Sequence, residues 1–161
     1  MKKFVFTLLL VFVCHLGYAQ SINGLFNEFG SEKNADCVKV SSFMMSLGKM
    51  FAGHDEDAKI IRKIKSIKVL DLESCTASVK ERFNKKVNKL NLKGYDELMR
   101  VNDEGEKVRV LMKTKKETIR ELLFVCTGKE DCTLVQINGK FTKEDIDKLV
   151  NQETKKKHGR R

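Results

Sequence analysis

The chain has 161 residues, five cysteines, neither proline nor tryptophan, and a formal net charge of +10. Apolar residues make up 41% of it and recur along its length, which excludes disorder except at the ends, and the length suits one core rather than several domains. Removing Lys2 and Lys3 takes the charge to +8, and removing Lys155, Lys156, Lys157, Arg160 and Arg161 takes it to +3, so the body between the ends is only mildly basic.

Residues 1–19 read as a secretory signal peptide. Lys2 and Lys3 give a positive start, and residues 4–14 form an apolar run broken only by Thr7. Gly17 and Ala19 place small residues where a signal peptidase reads, so cleavage is expected after Ala19. A permanent membrane anchor needs about 20 apolar residues, and this run stops short of that at His15 and Gly17. Cys14 follows Val13 inside the run, which does not suit lipoprotein processing. The expectation is an exported protein of the periplasm or cell surface, and export argues against a nucleic-acid partner. Four cysteines then remain, Cys37, Cys75, Cys126 and Cys132, and they are compatible either with two disulfides or with reduced thiols.

The elements follow in chain order. Residues 22–29 carry Ile22, Leu25, Phe26 and Phe29 at helical spacing, and Gly30 ends the helix. A short strand is expected at 37–41. The next helix, 43–51, sets Phe43, Met44, Leu47, Met50 and Phe51 on one face, and this stripe is read as core rather than as a partner-binding surface. A helical turn or two follows over 57–64, then a strand over 66–73 that is apolar on both faces in part. Ser74 is a candidate N-cap for a helix carrying Val79, Phe83, Val87 and Leu90. From Tyr95 the apolar period changes to two, giving strands at 95–101, 107–114, 118–127 and 132–138 joined by short turns. Thr142 and Asp145 resemble a capping box opening a last helix with Ile146, Leu149 and Val150 inward.

The expected fold class is α+β: one mixed sheet of five to six strands, a C-terminal four-strand antiparallel meander, and helices packed mainly on one face. The expected organisation is a signal peptide at 1–19, a single domain at 20–151 and a basic flexible tail at 152–161.

Three stretches are distinctive: 94–110, opening Gly94-Tyr95-Asp96-Glu97; 119–125, Ile119-Arg120-Glu121-Leu122-Leu123-Phe124-Val125; and 135–142, Val135-Gln136-Ile137-Asn138-Gly139 onward. Together with the exported N-terminus they resemble a family of small secreted bacterial proteins known as domain of unknown function 4252. The resemblance runs from about residue 22 to 150 and carries no catalytic signature. It implies cell-surface physiology, with some members encoded near envelope-stress regulators. The cysteines are not part of the family pattern, so any disulfide would be particular to this chain.

Histidine is nearly absent from the mature chain, which holds only His54 and His158. No nucleophile–histidine arrangement, metal-binding His pair or phosphate-binding glycine loop is present, so no catalytic, cofactor or metal residue is assigned. His54-Asp55-Glu56-Asp57 lacks the alternating acids and central Gly of a calcium loop and reads as a solvated turn. Asp71, Glu73, Glu97 and Glu121 lie on or beside strands. They are read as partners of Lys68, Arg100, Arg109 or Arg120 rather than as an acid–base pair. Cys126 and Cys132 are a candidate disulfide if a three-residue turn at 128–130 sets them opposite each other; a two-residue turn would separate them. Lys155, Lys156, Lys157, Arg160 and Arg161 are candidate partner contacts, able to touch anionic lipid or polysaccharide weakly. The expected function is a non-enzymatic exported module binding a protein or envelope component. The alternatives are a carboxylate-based hydrolase acting on an envelope glycan and a small envelope-stress regulatory protein.

Overall fold

The computed structural model describes residues 21–51 and 56–148, with side chains for all of these except 47–51 and 56–58. The expected leader and its cleavage point, the His54 turn, the side chains of Leu47, Met50 and Phe51, Leu149, Val150 and the basic tail all lie outside the described residues.

Helix α1, Ile22–Phe29, begins at Ser21, whose hydroxyl accepts the Gly24 N–H at 3.0 Å, and buries Ile22, Leu25, Phe26 and Phe29 on one stripe. It stops at Gly30 because the chain folds back tightly: a Cβ there would stand 2.4 Å from the Phe26 carbonyl oxygen. Strand β1, Asp36–Val40, leads into α2, Ser42–Phe51, and α3, Glu56–Lys63, and then β2, Ile64–Asp71. Helix α4, Ala77–Asn88, buries Val79, Phe83 and Val87. Its N-cap position is Thr76 rather than Ser74, and the Thr76 side chain makes no capping bond. Lys80, also buried, reaches past the apolar residues to donate to the Glu130 carbonyl oxygen at 2.8 Å.

Strands β3, Asp96–Asp103, β4, Glu106–Lys115, β5, Thr118–Thr127, and β6, Thr133–Phe141, form the expected meander. The six strands run in the order β1-β2-β6-β5-β4-β3. The α+β class holds, and one detail differs from expectation: all five pairings are antiparallel, so the sheet is not mixed. The connection through α4 carries the chain from β2 to the far edge, and β6 returns to fill the gap beside β2. No strand therefore neighbours the one it reaches through a helical crossover in parallel. After β6, Thr142 and Asp145 cap the last helix as expected. The Thr142 N–H donates to Asp145 Oδ2 at 2.7 Å, and the Asp145 N–H donates to Thr142 Oγ1 at 3.3 Å.

One face of the sheet carries the main core. The cross-strand row Cys37, Leu70, Leu134 and Val125 and the row through Leu123 and Leu111 meet α1 and α4. Phe29 and Phe83 join the two helices edge to face, ring centroids 5.3 Å apart. A smaller cluster lies at one end of the opposite face, where Ile60 of α3 meets Ile119, Leu122 and Phe141, with Ile146 of the last helix beside it. Beyond that end α2 contacts β2, and Val38, Phe124, Met99 and Val101 stay exposed.

The α2 stripe departs from the core reading: Phe43 is 72% exposed and Met44 58% exposed. The two halves of the molecule's β5 strand should respond oppositely to mutation. Leu123→Ala removes a fully buried side chain and is expected to cost about 2–5 kcal/mol in denaturant unfolding. Phe124→Ser, one residue on and facing the other way, is expected to cost no more than about 1 kcal/mol.

Candidate partner-binding face

Alternation along each strand, combined with the register, sorts the sheet's outer face into rows. One row crosses all six strands: Val38, Val69, Val135, Phe124, Val110 and Met99. A second, adjacent row runs Val40, Ile67, Ile137, Leu122, Met112 and then Asp96. A six-strand row spans about 24 Å at the usual interstrand spacing. Both ends and the middle of the first row are open to solvent, with Val38 at 55%, Phe124 at 37% and Met99 at 48% exposure, and Val101 beside Met99 at 45%. Within the rows Val110 and Leu122 are buried and Val69, Val135, Ile67 and Ile137 half-buried, so the open apolar surface is made by Val38, Phe124, Met99 and Val101.

The third row has a different chemistry: Asp36, Asp71, Thr133, Cys126, Val108 and Val101. Beyond it the β3–β4 turn sets Asp103 opposite Glu106 on the same face. Every charged residue at a paired position on this face is thus a carboxylate. The strand cations point the other way, where Lys68 lies over the Phe26 ring, Lys113 over the Tyr95 ring, and Arg109 bonds Glu97. The acidic character is felt at Cys126. Burial raises its thiol pKa most, and Glu106, Asp131, Cys132 and Asp71 push it further.

At the other end of the face an open cleft of about 560 Å³ is lined by Asp96, Met112, Thr114, Glu117, Thr142, Lys143 and Glu144. Its three acids are all solvent-exposed. No group of three His, Cys, Asp or Glu among the described residues is arranged to hold a metal ion.

The carboxylates considered from sequence go to separate tasks. Asp71 Oδ1 accepts the Glu73 N–H at 2.8 Å and shapes the turn after β2. Glu97 accepts from Arg100 Nε at 2.7 Å and from Arg109 Nε at 2.8 Å. Glu121 accepts from the Tyr95 hydroxyl at 2.6 Å and from Gln136 Nε2 at 2.7 Å on the helix-covered side. Burial, then the bond to Glu121 and its charge, hold the Tyr95 phenol above its ordinary pKa. Asp71, Glu97 and Glu121 each accept from donors of their own, and no two of these three face each other.

Asp145 is more deeply set. Burial works to raise its pKa, but the Lys63 ammonium and the Thr142 N–H and hydroxyl outweigh that and leave it below its ordinary value. The ion pair, Nζ to Oδ1 at 2.6 Å, ties the end of α3 to the last helix.

All four described cysteines are free thiols. The candidate Cys126–Cys132 bridge is corrected by the register, which sets Cys126 opposite Thr133. Cys132 lies before β6, buried on the helix side, where its thiol reaches Asn84 Oδ1 and the Gly128 carbonyl oxygen. Alternation puts Cys126 on the opposite side of the sheet, so the two thiols do not meet. The exposed apolar face itself was missed in the sequence. Its signal was the run Leu122-Leu123-Phe124-Val125, apolar on both faces of one strand.

The family model for Domain of unknown function (DUF4252) matches residues 29–149. The chain belongs to this family. Residues 29–149 reach from the last residue of α1 to just past the described end of the C-terminal helix, so the family match includes every strand of the sheet and both of its apolar rows. No curated protein and no solved structure matches the chain. The family brings no assigned activity, so the chemistry has to come from the residues themselves.

Glu97 gives a titration that checks the sheet's inner face. Its hydrogen bonds to Arg100 and then Arg109 lower its pKa from 4.5 to about 2. A depressed acid stabilises the fold above its ordinary pKa, and that contribution disappears as the pH falls toward about 2. Carboxyl NMR titration is expected to place Glu97 near that value, and Arg100→Gln with Arg109→Gln to return it toward 4.5. Glu97→Gln should flatten the acid limb of the stability curve between those two pH values.

Proposed function

We propose that the chain is a non-enzymatic module exported to the periplasm or cell surface, and that it binds a protein partner or envelope component through the apolar outer face of its sheet. The observation that carries this reading is the six-strand apolar row of Val38, Val69, Val135, Phe124, Val110 and Met99, in which Val38, Phe124 and Met99 are exposed. Burying apolar surface is favourable at roughly 25 cal/mol per Å², and among the described residues Val38, Phe124, Met99 and Val101 are left exposed. The leader at 1–19 supports export, and no described helix is long and apolar enough to cross a membrane. The basic residues Lys155, Lys156, Lys157, Arg160 and Arg161 would add a weak, salt-sensitive contact with anionic lipid or polysaccharide.

The hydrolase alternative has one feature in its favour, the cleft with Asp96, Glu117 and Glu144. All three are exposed, whereas an acid–base pair needs two environments that push the carboxyls apart. The regulatory alternative fits the same apolar face, since a regulator also acts by docking.

The test compares capture from a native envelope extract by the unaltered protein and by Phe124→Ser/Met99→Ser. Both should unfold at nearly the same denaturant concentration, because neither side chain is buried. The binding reading expects a specific set of partners to be lost with the double substitution. Identical capture by both proteins contradicts it.

A further inference from the structure

We propose that the occupant of the outer face is a cationic amphipathic segment of a partner protein, with apolar side chains on one side and lysine or arginine at its flanks. This inference rests on the binding reading above and adds the partner's chemistry. The apolar rows lie between two acidic borders. At one end stand Asp36, Asp71, Asp103 and Glu106, and at the other Asp96, with Glu117 and Glu144 across the cleft. No lysine or arginine occupies a ladder-paired position on this face; Lys143 at the cleft is the nearest cation lining it.

The asymmetry stands out because the body between the chain's ends is itself mildly basic, at +3. A random distribution of its charges would put cations on both faces. Instead the neighbouring strand cations sit on the helix side, where Lys68, Lys113 and Arg109 are engaged by Asn23, the Tyr95 ring and Glu97. Burial raises the Cys126 thiol pKa most, and Glu106, Asp131 and Asp71 of this border add to that.

This pattern selects among occupants. A second copy laid face to face would set acidic border against acidic border, since both ends carry carboxylates. An anionic lipid surface would meet the same repulsion. A helix with an apolar stripe and flanking cations satisfies both the rows and the borders, the helix-on-apolar-surface mode of recognition. At 1.5 Å per residue, a helix of about 16 residues spans the roughly 24 Å from β1 to β3.

The experiment uses the purified protein with its tail and two synthetic helical peptides of about 16 residues, a length set by that span. Both share one leucine stripe; the polar positions are lysine in one and glutamine in the other. Calorimetry is expected to show the Leu/Lys peptide binding about tenfold more tightly, with the advantage shrinking as salt rises through 0.5 M or so. Asp71→Asn with Glu106→Gln should reduce that advantage by several-fold while leaving the Leu/Gln affinity unchanged. Phe124→Ser should weaken both peptides.

Equal affinity for the two peptides, indifferent to salt, would overturn the cationic assignment while the apolar docking face stands. Failure of both peptides to bind would overturn the assignment, and retained capture by the Phe124→Ser/Met99→Ser protein is the separate result that removes the docking face itself. Two alternative occupants have their own signatures. Dimerisation in sedimentation that Phe124→Ser abolishes, or binding to phosphatidylglycerol vesicles that the same change abolishes, would each contradict it.

Discussion

A six-stranded open sheet has two faces, and among the described residues the main helical layer covers one of them. Helices α1 and α4 close over Leu70, Leu134, Leu123 and Leu111, locked by the edge-to-face contact of Phe29 with Phe83. Everything else in the molecule follows from where that layer goes. Polar groups on the covered side must find partners, and they do so through Tyr95, Gln136 and Glu121 and through the Arg100–Glu97–Arg109 group. The other face has its own small cluster where Ile60 meets Phe141 and Ile119, and among the described residues it leaves Val38, Phe124, Met99 and Val101 exposed.

That one-sided layering gives the two ends of the chain different roles. The Lys63–Asp145 ion pair and the Thr142 cap fix the last helix beside α3, so the covered end of the outer face is held by charge and hydrogen bonds as well as by apolar contact. The open end and middle have no such closure. They carry the exposed Phe124, Met99 and Val101, and a border of carboxylates.

Much of the architecture was legible in the sequence. The 3.6 period of Ile22, Leu25, Phe26 and Phe29 set α1, and the period of two after Tyr95 set the meander, because local periodicity is written directly by the burial of one stripe or one face. The Thr142–Asp145 cap was legible because its chemistry is confined to four consecutive residues. The family resemblance was carried by the strand stretches that the family match also contains. What was not legible depended on neighbours distant in sequence. Nothing local says that β6 slots beside β2, and so nothing local excluded a mixed sheet. Cys126 and Cys132 looked close because the turn between them is short, and a one-residue difference in register placed them on opposite sides. Phe43 and Met44 had helical spacing suited to a core, yet spacing alone cannot say whether another element will arrive to cover a stripe. The outer face is the same lesson at larger scale. Its residues alternate correctly for burial, and only the placement of the described helices shows which of them, Val38, Phe124 and Met99 among them, stay exposed.

The account stands on that uncovered face, and methyl NMR with a soluble paramagnetic probe tests it most directly. Methyl groups of Val38, Met99 and Val101 should relax strongly in the free protein, while those of Leu70, Leu111 and Leu134 should be nearly untouched. Uniform protection of all six would mean that both faces of the sheet are buried, and the central claim would fall.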